Sequence, residues 1–347
     1  VVGGDGRGGL LVRTGLALSS AKAPERLGSG ALLEELSFAD DRLHFRKLFG
    51  VGPAEGWITV SLNFRALAER ISSQELPVAK GLLAMQEAFA HLPPMEKRLR
   101  SWSRALAVSA AWLQMAGRVR RGTSLRPLVV WVLGATEQVE GALADAGFFA
   151  DANAVDGQAW DLVFWGAGGR SRGLAQAAPS KDRPPRIRFE AHSAPPPSGT
   201  SAQQPDLLAV LMPELVPCAD GRLSLSREFL PDDPSTTIGS RPVVITTRFA
   251  CRQEDGMRVA EVLAGKSQFV MRRNAFSASA GDSNALYDDN GWVTCVDGTP
   301  GLLSLLEYPF LPPAPEQYQG DSKLSALFWG IVDLKYDPAR SVQERVR

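Results

Sequence analysis

The hydrophobic pattern of the chain changes character part-way along. From Leu128 onward, short apolar runs alternate with glycine, proline and polar punctuation. The runs are Leu128 to Leu133 (LVVWVL), Trp160 to Trp165 (WDLVFW), Asp206 to Leu211 (DLLAVL), Pro242 to Thr247 (PVVITT), Ser267 to Met271 (SQFVM) and Trp292 to Val296 (WVTCV). Runs this short and this continuous fit strands buried on both faces. Helical spacing is predicted between them, at Glu137 to Ala146 and at Glu254 to Ala264. Strands separated by helical crossovers predict an α/β fold, a mostly parallel, Rossmann-like sheet with flanking helices. Leu128 to Gly141 is its centre, a strand that closes on Gly134-Ala135-Thr136 and passes into the helix behind it.

Ahead of that stretch the spacing predicts helices over Arg65 to Ser72, over Val78 to His91, and over Met95 to about Arg118. In the last of these Leu99, Trp102, Leu106, Ala110 and Leu113 recur at intervals of three and four while Glu96, Lys97, Arg98, Arg100 and Arg104 take other positions. That is an amphipathic helix that packs on a sheet. Upstream, Gly50, Gly52, Pro53 and Gly56 break any regular element, leaving Trp57 to Val60 as the one strand candidate. The expected organisation is a flexible, glycine-rich tail at 1–30, a helical and irregular region at 31–94, the α/β domain at 95–298, and a proline-rich C-terminal tail at 299–347. A proline-rich insertion at 171–204 carries the short candidate strand Arg186 to Ala191 (RIRFEA).

Composition narrows the function classes. Hydrophobic residues make up 44% and charged residues 22% of the 347, an ordinary globular balance. Lysine plus arginine equals aspartate plus glutamate at 38 each, so no global field draws the chain to nucleic acid or an anionic membrane. Cys218, Cys251 and Cys295 are widely spaced and odd in number, against a disulfide framework or a cysteine-rich zinc site and in keeping with a reducing compartment. His44, His91 and His192 each stand alone. No run approaches the ~20 apolar residues that span a bilayer.

In an open α/β sheet, ligands bind beyond the carboxyl ends of the strands, and that edge collects the candidates. Gly134-Ala135 precedes a helix N-terminus, which attracts anions. Glu137 stands in that first turn, where its own carboxylate would occupy the positive end. Gly166 to Gly173 (GAGGRSRG) also follows a strand and carries Gly168, Arg170 and Arg172, but it lacks the P-loop lysine and hydroxyl and does not match G-x-G-x-x-G. Thr246 and Thr247 end their strand and could line a site with hydroxyls. Asn274, in Asn274-Ala275-Phe276, reads first as a turn former. Asp206 stands at the opposite end of its strand and reads as a cap. The basic groups Lys97 to Arg104 and Arg118 to Arg126 admit an RNA-contact reading, although Trp102 and Trp112 fall with the apolar residues. There is no G-x-S-x-G elbow, no histidine pair for a metal and no Cys–His arrangement, so no metal or cofactor is expected.

These segments, taken in order, resemble the C-terminal domain of the mitochondrial splicing-suppressor family, whose members often carry a MYND zinc finger. The resemblance rests on the strand closing on Gly134-Ala135 with Glu137 after it, on WDLVFWGAG, and on Pro205-Asp206 entering a strand. It continues through PVVITTRFACRQEDG, Asn274-Ala275-Phe276 where the family shows Asn-Pro-Phe, and Asp289-Asn290-Gly291-Trp292 before the last strand. It covers about Trp102 to Gly298, and the zinc-finger cysteines are missing. The resemblance implies a domain acting in protein interaction or organellar gene expression, in a mitochondrial setting, without established enzymatic activity. The expected function is therefore a non-catalytic interaction, regulatory or structural module with other proteins as partners, within a larger complex. The alternative is a methyltransferase-like or other nucleotide-dependent enzyme using the edge near Gly134 and Gly166, and RNA binding through the basic segments is a third.

Overall fold

A computed structural model describes residues 1–4, 9–123, 125–150, 152, 155, 159–166, 186–190, 204–213, 215–217, 223–227, 229–231, 233–247, 270–277 and 289–306. The chain begins with an antiparallel sheet of β1 (Leu10–Arg13), β2 (Lys22–Leu27), β3 (Leu32–Ala39), β4 (Arg42–Phe49) and β5 (Glu55–Thr59), in the order β2-β1-β5-β4-β3. A small hairpin of β6 (Ser61–Leu62) and β7 (Arg65–Ala66) follows. Helices α1 (Leu76–Ala90) and α2 (Pro94–Met115) come next. The second half builds a seven-stranded sheet from β8 (Leu128–Leu133), β9 (Trp160–Trp165), β10 (Arg186–Glu190), β11 (Leu207–Leu211), β14 (Pro242–Thr247), β15 (Val270–Arg273) and β16 (Trp292–Asp297). Between β11 and β14 stand the hairpin β12 (Leu215–Pro217) and β13 (Leu223–Leu225) and the single turn α4 (Pro234–Thr237). Helix α5 (Gly298–Leu306) follows β16.

The run pattern places the central strands well but misjudges the sheet. Its order is β10-β9-β8-β11-β14-β16-β15; β10, β9, β8, β11 and β14 run parallel, whereas β16 pairs antiparallel with both β14 and β15. The sheet is mixed, and the expected mostly parallel Rossmann-like arrangement is corrected accordingly. An apolar run reports burial on both faces and carries no sign of strand direction. The long helices α1 and α2 also precede the sheet in sequence instead of lying in its crossovers. Among the described residues between β8 and β9, the helical part is a π-helical turn, Glu137–Gly141, and the single turn α3 (Ala142–Asp145). The helix expected over Glu254 to Ala264, most of the proline-rich insertion and the C-terminal tail beyond 306 lie outside the described residues.

The N-terminal region is a second correction. The segment read as a flexible tail holds β1 and β2, and the region read as helical and irregular holds β3 to β7, with β7 at the start of the Arg65 to Ser72 stretch where a helix was expected. The glycines read as interruptions take positive φ (Gly50 99°, Gly52 123°) at the turn that follows β4. In β4 (RLHFRKLF), Leu43, Phe45 and Phe49 are buried at alternate positions, and Leu43 and Phe45 join Leu10, Val12, Leu27 and Ile58 in a small core. Two tight hairpin turns carry positive φ. Asp40 and Asp41 (φ 50° and 57°) join β3 to β4, and Asn63 and Phe64 (φ 50° and 62°) join β6 to β7. Two-residue turns with both φ values positive match the strand twist and favour Asn, Asp or Gly. Phe64 departs from that preference, at a cost of about 1–2 kcal/mol for a left-handed L residue.

Helix α2 is the layer both sheets share. Every residue from Ser101 to Leu113 is buried, which overturns the amphipathic reading. On one side α2 packs on β11, β14 and β16; on another it meets α1, which in turn touches β4. The Trp112 indole also lies against Gly30 of the antiparallel sheet. A helix enclosed in this way must hide its polar groups. Its serines do so locally: the hydroxyls of Ser101 and Ser103 donate to the carbonyls of Arg98 and Arg100 at 2.7 and 3.1 Å, and Ser109 donates to Ala105. Alternate residues of β8, β9 and β11 divide between two clusters, Val130, Leu162 and Ala209 toward α2, and Trp131, Val163 and Val210 toward α5 and Phe229.

Phe276, fully buried, is where the layers meet: its ring stands edge-on to Phe89 of α1 at 5.4 Å and tilted to Phe49 of β4 at 5.6 Å. Phe276→Ala removes both contacts and is expected to lower unfolding stability by about 3–5 kcal/mol. Urea denaturation measures it, and an unchanged midpoint would show that the layers are not joined there.

Candidate functional site

The carboxyl ends of the parallel strands gather most of the residues singled out in the sequence, in two groups. The first lies at β8 and β9. Gly134 has a φ of 68°, and a Cβ on it would come within 2.7 Å of the Phe229 Cβ. A Cβ on Gly166 would overlap the Ala135 carbonyl oxygen, because Ala135 donates its N–H to the Trp165 carbonyl at 3.0 Å and draws the two segments together. Both glycines are thus demanded by close packing of the chain on itself. Gly168, with Arg170 and Arg172, lies outside the described residues.

The helical turn after Gly134 caps itself. The Thr136 hydroxyl accepts the Val139 N–H at 3.2 Å, and Thr136 donates its own N–H and hydroxyl to the Glu140 carboxylate at 2.9 and 3.2 Å. This reciprocal arrangement resembles a capping box lengthened by one residue. The extra residue fits the π-helical turn, in which Gly141 donates to the carbonyl of Thr136 at 3.0 Å. Buried Glu140 therefore supplies the carboxylate at the Thr136 N–H, while Glu137 is exposed.

The second group lies at β11 and β14 and is a buried polar knot. The Thr246 hydroxyl donates to Asn290 Oδ1 at 2.6 Å and accepts the Met212 N–H at 3.0 Å. Asn290 sends Nδ2 to the Ser101 hydroxyl at 3.2 Å, and its N–H points to Met212 Sδ at 3.2 Å. Asn274 Nδ2 donates to the Asn290 carbonyl at 2.9 Å, while Asn274 Oδ1 accepts the Phe276 N–H at 3.0 Å in a side-chain turn. Ser101, Thr246, Asn274 and Asn290 are all fully buried. Asn290 (φ 52°) and Met212 (φ 48°) hold left-handed backbone, which asparagine tolerates and methionine does not favour. Thr247 is also buried, opposite Trp292 in the β14–β16 ladder.

The structure thus brings Thr246 and Asn274 into one network and leaves Gly134, Ala135, Glu137 and Gly166 in the other group. Ser101, Met212, Phe229 and Glu140 were not foreseen as members. Asn290-Gly291 is the signal available in the sequence, an asparagine-glycine pair suited to a left-handed turn just before a strand. Ser101 had none, since its partner lies 189 positions away.

Four arginines of the basic segments, Arg98, Arg100, Arg118 and Arg120, are engaged within the fold. Arg120 grips Asp206 through Nε and Nη2 at 2.7 and 2.6 Å and donates to the Pro127 carbonyl at 2.7 Å, while Asp206 also accepts the Val129 N–H at 3.0 Å. Asp206 therefore ties the loop before β8 to the start of β11. Arg98 pairs with Asp289 and Arg118 with Asp297, and Arg100 pairs with Glu96 at 2.7 Å while lying over the Phe148 ring. Among the described residues, no group of three or more His, Cys, Asp or Glu side chains is placed to hold a metal, and no helix is long and apolar enough to cross a membrane.

No family model, no curated protein and no solved structure matches this chain.

The knot makes a graded expectation. Thr246→Val leaves Asn290 Oδ1 without its donor and is expected to cost about 1–3 kcal/mol. Asn290→Ala also removes the left-handed preference and the bond to Ser101, and is expected to cost more. Chemical denaturation of both variants checks the order; the reverse order would show that the turn at Asn290 does not depend on its side chain.

Proposed function

We propose that this protein is a non-catalytic interaction or regulatory module that works as a structural member of a larger protein assembly. The observation that carries the reading is the use made of the strand-end edge. Thr246 and Asn274 spend their polar atoms on Asn290, Met212 and Phe276, and Gly134 and Gly166 spend their missing side chains on Phe229 and Ala135. Groups engaged in this way serve the stability and shape of the fold, because freeing them for a ligand would leave buried polar atoms unpaired. The proposal of an organellar setting, in gene expression, rests on the resemblance to the splicing-suppressor family's C-terminal domain.

The competing reading, a nucleotide-dependent enzyme at the edge near Gly134, would require Phe229 and the Ala135 segment to move apart. RNA binding through the basic segments would compete with the ion pairs of Arg98, Arg118 and Arg120. A thermal-shift panel of adenosyl compounds and nucleotides is expected to leave the melting temperature unchanged, and native purification to return the chain in a stoichiometric complex. Recovery as a monomer that turns over a small molecule would overturn the proposal.

A further inference from the structure

Strand register places one row of side chains across the outer face of the antiparallel sheet. Arg13 of β1 stands opposite Lys22 of β2 on one side and Trp57 of β5 on the other, and Trp57 stands opposite His44 of β4. Directly paired residues project to the same face, so Lys22, Arg13, Trp57 and His44 lie side by side. At about 4.8 Å between strands the row is roughly 14 Å long. Val12, Phe45 and Ile58, which alternate with these residues, fill the small core on the opposite face. The Trp57 indole is half-buried and stacks on the His44 ring, with centroids 4.8 Å apart and planes 6° apart.

Charge on this face is unevenly partnered. Arg42, on the same face of β4 as His44, is buried (5% exposed); its Nη2 donates to the Trp57 carbonyl at 3.3 Å, while its Nε has no hydrogen-bond partner. Arg13 donates Nη1 to the Ser20 carbonyl at 2.6 Å. Among the described residues, Arg13, Arg42, Lys22 and Arg26, which stands opposite Leu11, form no ion pair. The carboxylates of the face are already engaged, Glu55 with His44 at 3.1 Å and Glu34 with Arg46 at 3.1 Å. Glu25, the acid of β2, alternates to the core side with Ala23 and Leu27, and Asp40 and Asp41, in the turn after β3, pair with none of these cations. Burial first, and the neighbouring Arg13 charge second, hold the Arg42 guanidinium below its ordinary value.

Two guanidinium groups that repel each other, one of them buried with an unused N–H, are a cost that the fold offsets with no carboxylate of its own. A phosphate group from outside would offset it, because the arginine fork matches phosphate oxygens. Trp57 adds an aromatic ring to the same row of cations. Cations that track a sugar-phosphate backbone beside an aromatic side chain on which a base stacks are the parts of a sequence-tolerant single-strand binder. We propose that the outer face of the antiparallel sheet binds single-stranded nucleic acid, with Arg13, Arg42 and Lys22 holding phosphates and an unpaired base against Trp57. The aromatic ring selects a nucleotide strand over an anionic membrane, which offers phosphate without a base to stack. The chain as a whole is neutral, so the attraction comes from this face alone. The inference goes beyond the interaction-module reading and uses a face that reading leaves unassigned.

The test is fluorescence anisotropy of the full chain with a labelled, unstructured RNA strand of about 12 nucleotides, a length that one small β domain can occupy. Affinity is expected to fall with salt with a slope of about −2 on logarithmic axes, as three phosphate contacts to a single strand give. Arg13→Gln with Lys22→Gln should weaken binding about tenfold or more and bring the slope to about −0.7, at an unchanged melting temperature. Lys97→Gln with Arg121→Gln, in the basic segments around α2, should leave binding unchanged. Trp57→Ala should weaken binding about fivefold or more, and Trp57→Phe should restore most of it because a ring is again present. Ultraviolet cross-linking of the unaltered chain to the strand, read by mass spectrometry, should mark the β5 peptide whether or not a variant folds. A DNA strand of the same sequence runs beside the RNA, and the tighter binder of the two names the source. Absent or salt-insensitive binding, or loss that follows Lys97 and Arg121 instead, overturns the proposal. So does a duplex bound as tightly as the strand, or sedimentation with phosphatidylserine vesicles that needs Arg13 and Lys22 while no strand is bound.

Discussion

Enclosure of α2 is the constraint on which the rest of the structure depends. Packed against a mixed sheet on one side and against α1 and a second sheet on others, the helix from Ser101 to Leu113 has no face left for water. Its sequence from Ser101 to Leu113 answers with alanines and serines that allow close approach, and with hydroxyls turned back onto the helix's own carbonyls. Because Ser101 also meets Asn290, the same helix reaches the strand-end edge. Position on α2 and closure of that edge are therefore one structural fact.

The edge itself shows how a site-like pattern becomes a structural one. Two glycines after two strands, a threonine pair and an asparagine are the residue types that many sites use. Here each is matched to a partner in the chain: Phe229 over Gly134, the Ala135 carbonyl over Gly166, Asn290 on Thr246 and Asn274. Buried polar groups in a low-dielectric interior are costly unless satisfied, and a satisfied network gives the surrounding turns a single arrangement. The left-handed backbone at Asn290 and Met212 is held inside such a network. At the exposed β6–β7 turn, Phe64 holds the same backbone region with no such support, which separates strain used for packing from strain left on the surface.

Legibility in the sequence followed the range of the forces involved. Helix α1 and the central strands could be read from spacing alone: β8, β9 and β14 fall where the apolar runs fall, because burial on both faces writes a continuous run. The antiparallel sheet was also written, in the alternation of RLHFRKLF after Asp40-Asp41, but glycines at positive φ obscured it. Thr246 and Asn274 were recognisable as notable residues. Their shared partner Asn290 was not, since it stands 44 positions from Thr246 and 16 from Asn274, and neither polarity nor spacing announces which groups will face.

By itself, the sequence determined local matters: which apolar runs of the second half become strands, that α1 and α2 are helices, and where asparagine and glycine turn the chain. These depend on short-range sterics and on the period of apolar residues, both carried by neighbouring positions. Tertiary structure alone decided the direction of β16, the burial of Ser101 to Leu113 of α2 on all sides, and the conversion of a candidate ligand edge into a closed polar knot. Those outcomes depend on which surfaces meet, and that is settled only when distant segments compete for the same buried volume and the same hydrogen bonds.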